Sequence, residues 1–245
     1  MQIRILGTGS GLPELGKHLS SVHVNCRGKQ YLLDCGEGSI YQLLRYGVDV
    51  NDLDAVVITH FHPDHVAGVF MLVQMLYLQG RSKDLSIFIP ERTEEFEGLF
   101  SMFYTFPERL CFRLTILPMA ELNSKFPDLQ AWPNDHLLGY SDVIQKHKYP
   151  NQMKAFSIQV HDDKYDFAYS SDIGSTDSIA PMFEGVHTLL VDAGHPAPEQ
   201  IYKLQNSKLK RILLTHGVSP VLLRELVKQE NALYEEAIEG IIYNL

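Results

Sequence analysis

Apolar and polar positions along this chain follow two rhythms. Short runs rich in Val, Ile, Leu, Phe and Tyr, bounded by Gly, Pro, Asp and Asn, predict strands at residues 3–6, 22–26, 31–34, 55–59, 86–89, 112–117, 156–160, 167–170, 188–192 and 211–215. Longer stretches with apolar residues three and four apart predict helices at 37–46, 64–79, 93–104, 198–205 and 220–230. Strands come first in pairs and then alternate with helices, and the pattern runs twice. That order predicts sheets packed face to face with helices outside, an α/β layered class. No linker, short repeat or low-complexity tract interrupts it, and 245 residues of even composition fit a single domain, 1–245.

Composition narrows the picture. Apolar residues make up 45% of the chain, enough for a real core, yet no apolar run reaches the roughly 18–20 residues that span a bilayer. The first residues, MQIRILGTGSGLP, lack a basic stretch followed by a long apolar one and read as the first strand rather than a signal peptide. Cys26, Cys35 and Cys111 are odd in number and form no CxxC pair, which points to buried small apolar residues and a reducing cytoplasm rather than a disulfide framework. The net charge is −9, and the one mild basic cluster, Lys203, Lys208, Lys210 and Arg211, reads as solvated surface. This balance argues against a large nucleic-acid interface, which releases counterions through a basic face, but not against a small phosphate substrate.

The chemistry concentrates after one apolar run. Val56-Val57-Ile58-Thr59 leads into His60-Phe61-His62-Pro63-Asp64-His65, so three imidazoles and one carboxylate fall within six residues. His60 and His62 alternate on extended backbone and can point the same way. Pro63 suits the first turn of a helix, which carries Asp64 and His65 with a different aim. One pair can serve one metal and the other pair a second. Imidazole and carboxylate without thiolate suit zinc, and also manganese or iron. Two metals need further ligands, and three other strand ends offer them: Asn134-Asp135-His136, Ser170-Ser171-Asp172 and Thr215-His216. Each alone is a weak signal; together with the first turn they supply what is missing.

His-x-His-x-Asp-His is the signature of the metallo-β-lactamase superfamily, and the surrounding text resembles its ribonuclease Z-like branch. The likeness lies in Leu6-Gly7-Thr8-Gly9-Ser10-Gly11, in Leu33-Asp34-Cys35-Gly36-Glu37-Gly38, in Gln42-Leu43-Leu44 and in Tyr169-Ser170-Ser171-Asp172. The resemblance implies an αββα sandwich of two stacked mixed sheets flanked by helices. It implies that His60, His62 and His136 bind one metal, that Asp64, His65 and His216 bind the other, and that Asp172 bridges both. Asp34 would orient a ligand histidine, or simply shape the turn into the first helix. A homodimer is implied too; the apolar stretch Val69–Leu78 could face a partner or be core.

Such a site implies a metal-bridging hydroxide nucleophile and a hydrolase. Asp64 would orient that nucleophile or take its proton as well as bind metal. The family's usual proton donor sits in a His-Glu-Ala-Thr-like motif, where this chain reads Asp192-Ala193-Gly194-His195. His195 is the substitute as general acid, or else it packs or caps the next helix. Lys17 and His18 stand where the family often has Arg-Asn. The long arm of transfer-RNA-processing relatives is reduced to a polar excursion at 137–153, with Lys146, His147, Lys148 and Tyr149. These features move the expected substrate toward a small or cyclic nucleotide-like phosphodiester, with no membrane partner. The alternatives are a lactone or thioester hydrolase and a ribonuclease Z-type endonuclease. A non-catalytic scaffold would be expected to have lost ligands, and all seven positions are filled. A diiron oxygen-chemistry enzyme would show a Glu among its first ligands and a flavin module.

Overall fold

The computed structural model describes residues 1–228 and 233–245. In chain order its strands are β1 (Gln2–Gly7), β2 (Ser21–Cys26), β3 (Lys29–Leu33), β4 (Ala55–Val57), β5 (Leu85–Ile89), β6 (Leu114–Pro118), β7 (Leu129–Pro133), β8 (Phe156–Val160), β9 (Asp166–Tyr169), β10 (Val186–Asp192), β11 (Arg211–Thr215), β12 (Tyr234–Glu236) and β13 (Ile242–Asn244). The helices are α1 (Ser39–Arg45), α2 (Pro63–Val66), α3 (Val69–Leu78), α4 (Thr93–Met102), α5 (Leu122–Lys125), α6 (Ser141–His147), α7 (Pro198–Lys203) and α8 (Pro220–Lys228). The chain divides into two compact units, Met1–Lys125 with Ile238–Leu245, and Phe126–Ala237.

The first unit holds a mixed sheet in the order β13-β1-β2-β3-β4-β5-β6. Its early strands pair antiparallel, and β3 to β6 run parallel. Parallel strands are covered by helices, so β4 and β5 are buried along their whole length rather than at alternate residues. Val56 and Ile87 of the sheet share a core with Ile40 and Leu43 of α1, Leu72 and Leu76 of α3, and Phe96 and Phe100 of α4. Burying each such side chain stabilises the fold by about 1.5–3 kcal/mol. Helix α3 is therefore core on its Val69, Leu72, Val73 and Leu76 face, while Met71 and Leu78 stand exposed.

The second unit holds a mixed sheet in the order β12-β11-β10-β9-β8-β7, parallel from β12 to β9 and antiparallel beyond. Leu189, Val191, Ile212 and Leu214 meet Ile201 of α7 and Leu222 of α8 in its core. An α/β chain with two mixed sheets and packed helices agrees with the sequence expectation. Three differences have physical causes. The helix expected over 64–79 breaks at Ala67 and Gly68. The polar excursion contains α6, none of whose residues is buried. Strands β7, β12 and β13 were not expected; each lies at or beside a sheet margin, where one apolar face is enough or the run is only three residues. The end of the helix expected over 220–230 lies outside the described residues. Among those described, no helix is long and apolar enough to cross a membrane.

Candidate metal centre

In the first unit, β3 ends at Leu33 and Asp34 turns into the left-handed region with φ 57°. Its N–H still bonds Val57 O at 2.8 Å, so the residue stays tied to β4 while its side chain swings beneath the next turn. There the fully buried carboxylate accepts from Thr59 N–H at 2.8 Å and Thr59 O–H at 2.9 Å, and from His65 Nδ1–H at 2.7 Å. Since the Thr59 proton goes to Asp34, its Oγ1 accepts from His60 Nδ1–H at 3.1 Å. The network puts the proton of each neutral ring on Nδ1 and makes Nε2 the nitrogen available for ligation. That is the form a metal requires.

The four residues of the histidine-rich turn converge. The His60 ring lies 4.7 Å from that of His62 and 4.1 Å from that of His65. Ligand atoms of His60 and His62, and of Asp64 and His65, come within 4.8 Å of each other. His60 and His65 are fully buried, and Asp64 nearly so. Glycines make this closeness possible. A Cβ on Gly68 would sit 2.3 Å from Gly36 O, and one on Gly36 would sit 2.2 Å from Asp64 O. The turn after β3 thus packs backbone to backbone on α2, with Gly68 N–H bonding Cys35 O at 2.8 Å. This contact is what interrupts the expected long helix. Burial pushes the Cys35 thiol up to about 12, so it stays protonated and outside the donor set.

In the second unit, Asp172 gathers the other expected ligands. His136 Nε2 lies 3.5 Å and His216 Nε2 3.0 Å from Asp172 Oδ2, and all three side chains are nearly closed to solvent. His216 follows β11 with φ 61°, and Ser171, just before Asp172, has φ 52°. Asn134 holds the loop of His136: its Oδ1 accepts from His136 N–H at 3.1 Å, and its amide donates to Ser157 Oγ at 3.1 Å. Asp135 ties this loop to the one after Asp172, accepting from Gly174 N–H at 2.8 Å.

His195 joins this group. Its ring lies 4.9 Å from that of His136 and 5.2 Å from that of His216, with 43% of the side chain exposed. Asp192, fully buried at the end of β10, accepts from His195 Nδ1–H at 2.9 Å and from the N–H groups of Ile173, Gly194 and His195. This orienting role of Asp192 went unread in the sequence. The available signal was its position, a carboxylate closing a buried strand three residues before a histidine. As a donor set, the two units offer five imidazoles, counting neither His195 nor the thiols, with Asp64 and Asp172, all within reach of others in their own unit. That chemistry fits divalent ions such as zinc.

Comparison with known proteins bears on these sites. A family model described as Anti-Pycsar protein Apyc1 matches residues 1–96. Ribonuclease Z of Methanosarcina mazei is 38% identical over 102 residues, 42% of this chain and 33% of that protein. The chain's matches thus span about a third of the length of the first curated relatives. Among solved structures, human tRNase Z, short form, aligns with a TM-score of 0.73 at 20% identity, over 100% of this chain and 99% of that one. The metallo-beta-lactamase fold protein YhfI of Bacillus subtilis aligns with a TM-score of 0.72 at 19% identity, over 99% and 98%. The chain has the metallo-β-lactamase fold. Over part of its length the chain is similar in sequence to proteins named ribonuclease Z. The expectation of a metal-dependent hydrolase agrees with these names.

One expectation is corrected. The case against a large nucleic-acid partner does not stand beside relatives named ribonuclease Z and a structural neighbour named tRNase Z. Net charge misled because it is a sum over the whole chain. Asp34, Asp64, Asp172 and Asp192 all count toward −9, yet all are buried and none belongs to the exposed surface that a large partner would touch.

Proposed function

We propose that this chain is a dinuclear metal-dependent hydrolase of phosphodiester bonds, acting as one domain over residues 1–245. The observation that carries the reading is the Asp34–Thr59 network, which holds Nδ1–H of both His60 and His65 and so makes Nε2 the ligating nitrogen of each. A buried carboxylate arranged to keep two histidines in the ligating tautomer has no simpler purpose. In this reading His60, His62 and His136 hold one ion, Asp64, His65 and His216 hold the other, and Asp172 serves both. Zinc suits the set, with manganese and iron as alternatives. When bound, two such ions lower the pKa of a water and neutralise charge on the phosphoryl oxygens.

The chain's own residues supply the rest. Asp64 orients the attacking water and takes up its proton. His195 delivers a proton to the leaving oxygen, from a ring whose Nδ1–H is held by Asp192 and whose side chain is 43% exposed. The relatives' names make RNA the first substrate to test. A second reading, a small or cyclic nucleotide phosphodiester, is favoured by the reduced excursion, where α6 spans only seven residues. A homodimer fits the exposed apolar surface of Met71, Leu78, Met102, Phe103 and Tyr104. A cytoplasmic setting fits the three unpaired cysteines.

The test is hydrolysis of bis-p-nitrophenyl phosphate, a precursor transfer RNA and cyclic nucleotides by zinc- or manganese-loaded protein. His62→Ala and Asp172→Ala are expected to abolish turnover and lower bound metal with the fold kept. Full activity in either variant refutes the proposal. Faster cleavage of p-nitrophenyl acetate than of the phosphodiester would favour a carboxylic-ester hydrolase instead.

A further inference from the structure

Glu239 lies near the C-terminal end of the sequence, within the first unit, and its side chain is 13% exposed. Its two oxygens collect donors from the opposite end of the chain. Oε1 accepts from Thr8 N–H at 3.1 Å, Thr8 O–H at 3.3 Å and His18 N–H at 2.8 Å. Oε2 pairs with His18 Nδ1 at 2.7 Å and accepts from Gln42 Nε2 at 3.3 Å. Gln42 is buried and also donates to Leu6 O, and Gly240 N–H bonds Ile5 O at 2.8 Å, so the carboxylate is held against the end of β1.

Thr8 and His18 are the two stems of one loop. One carboxylate therefore closes the neck of residues 9–17, helped by Gly9 N–H to His18 O at 2.8 Å. The crest of that loop passes over the histidine-rich turn: a Cβ on Gly11 would lie 3.4 Å from Asp64 Oδ2. What the crest offers carries no net charge. Glu14 and Lys17 pair with each other at 3.5 Å, and the His18 ring is committed to Glu239. Leu12 and Leu15 project outward, 77% and 106% exposed. The outermost surface of the crest is therefore apolar, next to an ion pair of zero net charge. It complements a flat, uncharged ring.

We propose that Glu239 is a positioning residue that clamps loop 9–17 so that its Leu12–Leu15 crest covers the nucleobase flanking the scissile phosphodiester. The proposal rests on the hydrolase reading above, and its test separates the two. Glu239→Ala and the near-isosteric Glu239→Gln, both metal-loaded, are compared with wild type on two esters with the same leaving group. One is thymidine 5′-(p-nitrophenyl phosphate), and the other is methyl p-nitrophenyl phosphate, which lacks a base. In parallel, trypsin cleavage of the Lys17–His18 bond is followed by mass spectrometry, with thermal unfolding as the fold control.

Loss of charge-assisted bonds at the neck is expected to raise the open population, and so the cleavage rate, about tenfold or more in Glu239→Ala. KM for the thymidine ester is expected to rise about tenfold with kcat retained, and KM for the methyl ester to stay unchanged. Glu239→Gln keeps one accepting oxygen and falls between. Unchanged trypsin cleavage in a folded variant overturns the clamp. Faster cleavage with equal KM changes for both esters overturns the nucleobase lip. A wild type that cleaves neither ester sinks the hydrolase reading, and proteolysis alone then decides the clamp.

Discussion

Asp34→Asn isolates the contribution of one buried carboxylate to metal binding. Asparagine has the same shape and can keep Thr59 N–H on its oxygen. Its amide nitrogen, however, then stands where Oδ2 took protons from Thr59 Oγ1 and His65 Nδ1, at 2.9 and 2.7 Å. Both neighbours must turn from donor to acceptor. His65 moves its proton to Nε2. The Thr59 hydroxyl, now accepting from the amide, donates to His60 Nδ1, and the His60 proton moves to Nε2 as well. Two nitrogens that should face metal are thereby capped. Changes of this kind behind a ligand weaken metal binding by about 10–100-fold, or about 1.4–2.8 kcal/mol at 1.4 kcal/mol per decade. The fold loses stability as well, because each charge-assisted bond of about 1.5–3 kcal/mol is replaced by a neutral one of about 0.5–1.5 kcal/mol. The assay is zinc competition against a fluorescent chelator, with urea unfolding of the metal-free protein as control. Equal zinc affinity in wild type and Asp34→Asn would refute the tautomer argument, whatever happens to stability.

Three other outcomes follow from the same geometry. His195→Ala, and Asp192→Asn through it, should lower kcat by about 100-fold or more with zinc content unchanged; loss of metal would make His195 a ligand rather than a proton donor. Under native alkylation Cys111, which is exposed, should react while Cys26 and Cys35 stay unmodified until unfolding, because both are buried and the Cys35 thiol is pushed up to about 12; early labelling of Cys35 would contradict its place under Gly68. Burial lowers His23 below its usual 6.5, the Gln30 hydrogen bond opposes this, and the Arg4 charge adds to the lowering. As pH falls below 6.5 the unfolded chain takes up that proton before the native one, so urea stability of the metal-free protein should drop more steeply in wild type than in His23→Gln.

What the sequence disclosed depended on how locally each feature was determined. The buried strands were legible from apolar runs, and β8 and β11 matched residue for residue. The margins were not. Strands β12 and β13 have three residues each, and β7 buries only Leu129 before ending in Trp132-Pro133. Helix α6 escaped because it has no buried face, and periodicity detects helices by the face they bury. The break before α3 escaped because its cause is a tertiary contact, the backbone of Gly36 against Gly68.

The site divides in the same way. His60, His62, Asp64 and His65 announce themselves in six residues, while Asp172 and His216 are visible only through a rule of position: a polar residue just past the end of a parallel strand. That rule works for a backbone reason. Asp34, Ser171 and His216 all adopt left-handed geometry after β3, β9 and β11, with φ between 52° and 61°. For residues with a Cβ this conformation costs roughly 1–2 kcal/mol each. It turns the side chain sharply out of the strand direction while the strand itself stays rigid, which is what a ligand held to a fixed point needs. Asp192 is the last residue of β10 rather than one beyond it, and its signal was the histidine three residues on. Glu239 had no such signal, because its partner His18 is 221 residues away and no local pattern joins them. Candidate metal ligands at strand ends are therefore recoverable from one sequence. Residues that steer a loop from the far terminus become visible only when the backbone has brought the two ends together.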